Sequence, residues 1–186
     1  MTPPEILKYA TVISQPVFAI IALILIKKTP GFSFAKHTIS KSILLMEKSS
    51  FKYIFSANFL LKSILDLGFL WYILFKFNLV LNSSVGRLLL TSILMFASLA
   101  YFVEGKHKVI HRIIIYTLGI LWMAVQELLA HMTGSFAFGL FTDFVTFTVA
   151  VIAYWGIFTK KENVIIQIIC MSLLYSWLLV FVLMFL

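Results

Sequence analysis

Apolar residues fall into six long runs along the chain, separated by polar breaks. Each run lies in the range of about 17–25 mostly apolar residues that a helix needs to cross a membrane. The predicted membrane-spanning helices cover residues 9–26, 53–75, 87–103, 109–130, 135–158 and 164–186. Because the breaks are mostly short and hold turn-forming and charged residues, we predict one all-α integral membrane domain over residues 1–186, a polytopic six-transmembrane-helix bundle.

The break between the first two predicted helices, residues 31–52, has a pattern of its own. It is too polar to span a membrane, yet its apolar residues recur at helical spacing. The apolar positions are Phe32, Ala35, Ile39, Ile43 and Met46. Lys36, Ser40 and Lys41 lie off that face, which is typical of an amphipathic helix in the membrane interface. We expect Lys36 and Lys41 to contact lipid headgroups.

The composition agrees with a membrane protein. Hydrophobic residues make up 62% of the chain and charged residues only 12%, against about 45–50% and about 25% in soluble proteins. The formal net charge of +8 comes from basic residues that cluster beside the predicted spans, where anionic headgroups account for them. We therefore expect membrane lipids as partners and no nucleic acid. Cys170 is the only cysteine, which excludes an internal disulfide and a cysteine-rich metal site.

The basic residues also predict the orientation of the chain. The breaks after predicted helices one, three and five, counted with Arg112 in the first turn of helix four, hold eleven of the fifteen Lys and Arg residues. The other side holds Lys8, Lys76 and Arg87, while Lys62 lies inside a predicted span. Since basic residues concentrate in cytoplasmic loops, we predict that these three breaks are cytoplasmic and that both termini lie outside.

The second predicted helix carries a polar seam, which consists of Asn58, Lys62 and Asp66. These residues are four apart, so on a helix with about 3.6 residues per turn they form one stripe of amide, ammonium and carboxylate. An ionisable residue inside a membrane span is by default a candidate functional site, and we predict that the seam binds a ligand. The alternative is that Lys62 and Asp66 neutralise each other and hold the bundle together.

Three further ionisable residues are predicted in the outer half of the membrane. Glu127 and His131 are i,i+4 neighbours near the end of helix four, and Asp143 lies about 12 Å below the outer end of helix five. The rise per residue also predicts that Asp143 and Asp66 lie at the same depth in the membrane. We predict that Glu127, His131 and Asp143 join the polar seam in lining a ligand-binding cavity that opens to the outside.

Carboxylates and histidines also bind metal ions, but a Glu/His pair at a helix end is common as an interfacial cap. We therefore predict neither a metal nor a cofactor. A second i,i+4 pair, His107 and His111, lies at the start of helix four. His111 is about 24 Å from Glu127 along that helix, so this pair belongs to another site. We expect His107, His111 and Arg112 to contact lipid headgroups or phosphate. The alternative is a basic collar without a specific ligand.

Three short motifs and the six-helix spacing resemble a known family. The motifs are Gly31-Phe32-Ser33 with Ile39-Ser40, Tyr53-Ile54-Phe55-Ser56-Ala57-Asn58, and Ile110-His111-Arg112. The pattern resembles the six-helix membrane family called domain of unknown function 998, which is grouped with autophagy-modulator and GPI-anchor-remodelling membrane proteins. Lys41-Ser42 departs from the acidic residue and Leu-Gly that continue the family's loop. The resemblance implies a six-helix fold and a link to lipids, without supplying a reaction.

Three functions fit these observations. The first is a small multi-pass protein that binds or moves a lipid or small solute through the intramembrane polar site. The second is an intramembrane enzyme acting on a lipid headgroup, with Asp66, Asp143 and His131 as acid, base or ligand groups. The third is a structural or assembly subunit whose polar residues contact a helix of a partner protein or of a second copy.

Overall fold

A computed structural model describes residues 2–102, 107–159 and 161–186. Within these ranges the chain is helical and contains no β-strand. The elements are a 3₁₀ helix (Glu5–Tyr9), α1 (Ala10–Lys27), α2 (Ser42–Leu45), α3 (Ser49–Lys76), α4 (Ser84–Ser98), α5 (Lys108–Thr133), α6 (Phe136–Phe158) and α7 (Val164–Phe185). The all-α prediction is therefore confirmed for the described part of the chain.

Five of these helices are long and apolar enough to cross a membrane: Glu5–Lys27, α3, α5, α6 and α7. They indicate an integral multi-pass membrane protein. The remaining large helix, α4, has only 15 residues, about 22 Å at 1.5 Å per residue, whereas the hydrocarbon core is about 30 Å thick. Turns continue it from Leu99 to Phe102, and Val103, its predicted end, lies outside the described residues. The sixth span therefore stays a prediction.

The large helices pack in sequence order into a ring. Each of α3, α4, α5, α6 and α7 contacts the helix before it, and α7 returns to α1. A hydrophobic cluster near one end of the bundle includes Leu70, Val85, Leu129, Phe138 and Phe181. A second cluster includes Phe18, Met46, Phe55, Leu99 and Ile114. Because α3, α4 and α5 each contribute opposite ends to the two clusters, successive helices run antiparallel.

The second cluster lies near what we call the basic end of the bundle, where α1, α4 and α6 end and where α3, α5 and α7 begin. The connections at this end, together with the helix ends that adjoin them, hold eleven of the fifteen Lys and Arg residues of the chain. A tight turn joins α5 to α6 at the other end. There Gly134 adopts φ +66° and ends α5, while the hydroxyl of Ser135 accepts a hydrogen bond from the Phe138 N–H and caps α6.

The interfacial helix predicted over 31–52 is not formed as one helix. Turns and the four-residue α2 occupy most of the segment, and α3 begins at Ser49. Two hydrogen bonds to α7 interrupt the segment near its middle: the Val164 N–H donates to the His37 carbonyl at 2.8 Å, and the Ile39 N–H donates to Gln167 Oε1 at 2.8 Å. The other backbone–backbone bonds of the segment form short turns on either side of these two. Met46, predicted on the lipid face, is buried among helix side chains.

Candidate functional site

The polar seam of α3 faces α1. Lys62 and Asp66 are only 8% and 9% exposed, and Lys62 Nζ lies 2.5 Å from Asp66 Oδ2. The second carboxylate oxygen of Asp66 accepts a hydrogen bond of 2.8 Å from the Ser14 hydroxyl of α1. Both carboxylate oxygens are therefore paired, and a charge-assisted hydrogen bond links α1 to α3.

The other members of the seam are paired as well. The side-chain amide of Asn58 donates to the Phe18 carbonyl of α1 at 2.9 Å. Lys62 Nζ lies 5.0 Å from the ring centroid of Phe96 in α4, within range of a cation–π interaction. The seam thus joins α1, α3 and α4. Ser14 could have been noticed as a hydroxyl inside an apolar run, but no signal in the sequence marks Phe96 among nineteen phenylalanines.

This pairing favours the structural interpretation of the seam. An ion pair inside a membrane is stable when hydrogen bonds satisfy its remaining sites, and here Ser14 supplies one. None of the three seam residues lines either of the two cavities described below. The ligand-binding role of Asn58, Lys62 and Asp66 stays a prediction, and their position identifies them as a link between helices.

The structure does not bring the outer ionisable residues together with the seam. Glu127 is half-buried, and His131 and Asp143 are exposed on the outside of the bundle. Among the described residues, no three His, Cys, Asp or Glu side chains form a group that could hold a metal ion. Asp143 points outward because Thr142 and Val145 occupy the buried side of α6. A single shared cavity is therefore not formed, and ligand binding by these three residues stays a prediction.

A groove runs between α1 and α7 with a volume of about 140 Å³. Its walls are apolar over most of their length and include Ala19, Ala22, Ile26, Ile39, Ile168 and Met171. Gln15, Ser172 and Tyr175 add polar groups to its lining. Since Ile26 is the penultimate residue of α1, the groove extends along that helix to the basic end of the bundle. Periodicity did not reveal it, because the two walls are about 150 residues apart in the sequence.

Pro16 lines the groove and explains a bond across it. Proline has no N–H, so the carbonyl of Val12, four residues earlier, lacks its helical partner. The hydroxyl of Tyr175 in α7 donates to this carbonyl at 3.2 Å. The carbonyl released by Pro16 is thus satisfied by a side chain from the neighbouring helix, as membrane-buried backbone requires.

A small polar pocket of about 30 Å³ lies at the basic end. Its lining consists of Thr38, Ser40, His111, Arg112, Ile115, Tyr116, Glu162 and Gln167. The pocket and the groove are adjacent in the chain: Ile39 and Ile168 line the groove, and their sequence neighbours line the pocket. An apolar groove therefore ends beside a polar pocket.

The predicted headgroup contacts differ in their accessibility. Arg112 and Lys36 are exposed, and Lys41 is half-buried. His111 is buried, and its Nδ1 lies 2.6 Å from the Phe102 carbonyl, so this ring contacts the pocket from inside the fold. His107 stacks on Tyr101 with 5.7 Å between the ring centroids. Headgroup binding by these five residues stays a prediction, and Arg112 is the one that is both exposed and beside the groove.

No protein-family model, no curated protein and no solved structure matches the chain. The resemblance to the domain of unknown function 998 family therefore stays a prediction. The geometry of the groove and the polar pocket is the basis for a functional proposal.

Proposed function

We propose that this multi-pass membrane protein binds a phospholipid, with part of one acyl chain in the groove between α1 and α7 and the phosphate at Arg112. The observation that carries the proposal is the adjacency of the two cavities. A phospholipid has an apolar chain joined to a charged headgroup, which is the order of surfaces that the groove and the polar pocket present.

The size of the groove supports a lipid chain over a polar solute. Small-molecule sites usually measure about 300–1,000 Å³, and the groove measures about 140 Å³. An apolar cavity of about 150 Å³ holds a single benzene. The groove therefore has room for a segment of one hydrocarbon chain, and its apolar walls offer few partners for the hydrogen bonds of a polar solute.

The polar pocket supplies the headgroup chemistry. Arg112 is exposed and makes no ion pair or hydrogen bond within the described residues, so its guanidinium is free to bind phosphate oxygens in pairs. The one carboxylate in the pocket, Glu162, accepts a 2.7 Å hydrogen bond from the Tyr116 hydroxyl. A phosphate at Arg112 would lie at the level of the basic connections, where anionic headgroups are attracted.

Filling the groove tests the proposal. The half-buried Ala19 lines it, and Ala19→Phe places a ring where the chain would lie. Purified protein in vesicles is irradiated with a phospholipid that carries a photoreactive acyl chain, and the labelled residues are mapped by mass spectrometry. We expect wild-type labelling in α1 and α7, reduced about tenfold or more in Ala19→Phe, equivalent to about 1.4 kcal/mol.

A matched control and a headgroup variant complete the experiment. Ala150→Phe makes the same change on the exposed side of α6 and should leave labelling of the groove unchanged. Arg112→Gln should weaken binding of the phospholipid but not of a diacylglycerol with the same chains, because only the former has a phosphate. Wild-type labelling of a folded Ala19→Phe protein would contradict the proposal.

We also propose that the basic end of the bundle faces the cytoplasm. The α1–α3, α4–α5 and α6–α7 connections all lie at that end, and together with the helix ends that adjoin them they hold eleven of the fifteen Lys and Arg residues. Single cysteines are introduced at the exposed Ser50 and Asn82 in a Cys170→Ser background. An impermeant thiol reagent should label Asn82→Cys in intact cells and Ser50→Cys only after permeabilisation. The reverse pattern would invert the orientation.

A further inference from the structure

Asp143 lies on the outer face of α6, well inside the helix. It is the eighth residue of Phe136–Phe158, about 10 Å from the start of the helix at 1.5 Å per residue. Its neighbours on this face are large and apolar: Leu140 is 54% exposed, Phe144 is 62% exposed and Phe147 is 70% exposed. A carboxyl group therefore stands in a surface that otherwise suits the hydrocarbon of a membrane.

This carboxyl group has no partner in the described part of the chain. No hydrogen bond or ion pair involves Asp143 there, whereas both oxygens of Asp66 are bonded. Ionisable groups facing lipid are costly, and they almost always pair with another group. The contrast between the two aspartates indicates that the partner of Asp143 comes from another molecule.

A second copy of this chain offers, among the described residues, no exposed Lys or Arg as far inside a helix as Asp143. Within the described residues, every exposed Lys and Arg lies in a connection or within about five residues of a helix end. In the part of the chain that the structure describes, the only Lys or Arg in the middle of a helix is Lys62, which is buried against Asp66. Symmetric packing of two α6 helices would bring two Asp143 carboxylates together, which like charges disfavour. A cation on a different protein would complement Asp143.

We propose that the face of α6 formed by Leu140, Asp143, Phe144 and Phe147 binds a transmembrane helix of another protein that carries Lys or Arg at the depth of Asp143. The charge pair sets the partner and its depth, since a helix without a basic residue there would leave the carboxylate unpaired. The three apolar side chains supply the packing surface that helix association in membranes requires. The face is formed by α6, whereas the lipid groove lies between α1 and α7.

A designed peptide tests the charge pair directly. The protein is reconstituted in vesicles with a labelled leucine-rich transmembrane peptide of about 20 residues, and association is measured by energy transfer. The peptide carries one Lys about 10 Å from one of its ends. That end lies at the membrane surface where α6 begins, so the Lys is at the depth of Asp143. We expect this peptide to bind at least tenfold more tightly than the peptide with Leu at that position. Asp143→Leu should abolish this preference, and Asp143→Glu should retain it.

Two measurements keep the outcomes distinct. Because Asp143 contacts no polar partner in the described bundle, Asp143→Leu should unfold at the wild-type temperature, which separates lost binding from lost folding. A peptide with its Lys at the membrane interface should bind no better than the all-leucine peptide. Equal binding of the Lys and Leu peptides to the wild-type protein would overturn the proposal. Self-association of the wild-type protein that Asp143→Leu removes would also overturn it, because a second copy would then occupy the face.

Discussion

Helix α1 makes two different contacts with its neighbours. Toward α3 it is joined by polar bonds: Ser14 donates to Asp66, and the Phe18 carbonyl accepts from Asn58. Toward α7 it leaves a groove of about 140 Å³, and the Tyr175 hydroxyl is bonded to α1 beside it. The comparison indicates that α1 is anchored on its α3 side and leaves an open groove on its α7 side.

Two nearby residues of α1, Ser14 and Pro16, produce this difference. Ser14 and Pro16 are two positions apart, which places them about 200° apart around a helix, on nearly opposite faces. The hydroxyl of Ser14 donates a hydrogen bond to the Asp66 carboxylate, so the Ser14 face of α1 packs against α3. Pro16 releases a carbonyl and has a short side chain, so its face needs one donor and leaves space. Two substitution sets, one on each face, test whether these contacts are separate.

The largest expected effect comes from breaking the ion pair on the α3 side. Lys62→Met or Asp66→Leu alone leaves a buried charge without its partner, which typically costs about 3–5 kcal/mol. The double variant should recover much of this loss, because neither charge then remains unpaired. Thermal unfolding in detergent measures the stability of each variant.

The same variants separate anchoring from ligand binding. If the seam only anchors α1, the refolded double variant should keep wild-type phospholipid labelling in the groove. Lys76→Met is a matched control, because Lys76 ends the same helix and is exposed, and its stability should match that of the parent. Single variants as stable as the parent would mean that the buried pair does not anchor the helices. A stable double variant that loses lipid would assign the seam a direct part in binding.

A smaller effect is expected on the α7 side. Tyr175→Phe removes the hydroxyl that satisfies the Val12 carbonyl, and hydrogen bonds between membrane helices average about 0.6 kcal/mol. Pro16→Ala restores a backbone N–H to that carbonyl, so Tyr175→Phe should cost less in the Pro16→Ala background. A double-mutant cycle of unfolding free energies measures the coupling. Equal costs in the two backgrounds would show that the tyrosine bond does not compensate for the proline.

Local patterns in the sequence determined the membrane class and the seam. Runs of apolar residues predict helices because each helix must bury its backbone polar groups within itself in lipid, and five such helices are present in the described chain. The pairing of Lys62 with Asp66 was also predictable, since side chains four residues apart on a helix are neighbours wherever that helix packs. These features depend only on residues close together in the chain.

The direction in which each helix faces was decided by the tertiary structure. Asp66 and Asp143 have similar predicted depths, yet packing turned one toward α1 and the other to the outside. Residues 31–52 have the periodicity of an amphipathic helix, but two bonds to α7 interrupt the segment, which forms turns and a short helix instead of one helix. The groove joins residues near 20 and near 170, and Arg112 reaches the adjacent pocket from α5. Periodicity describes one helix at a time, whereas these features depend on which helix packs beside it.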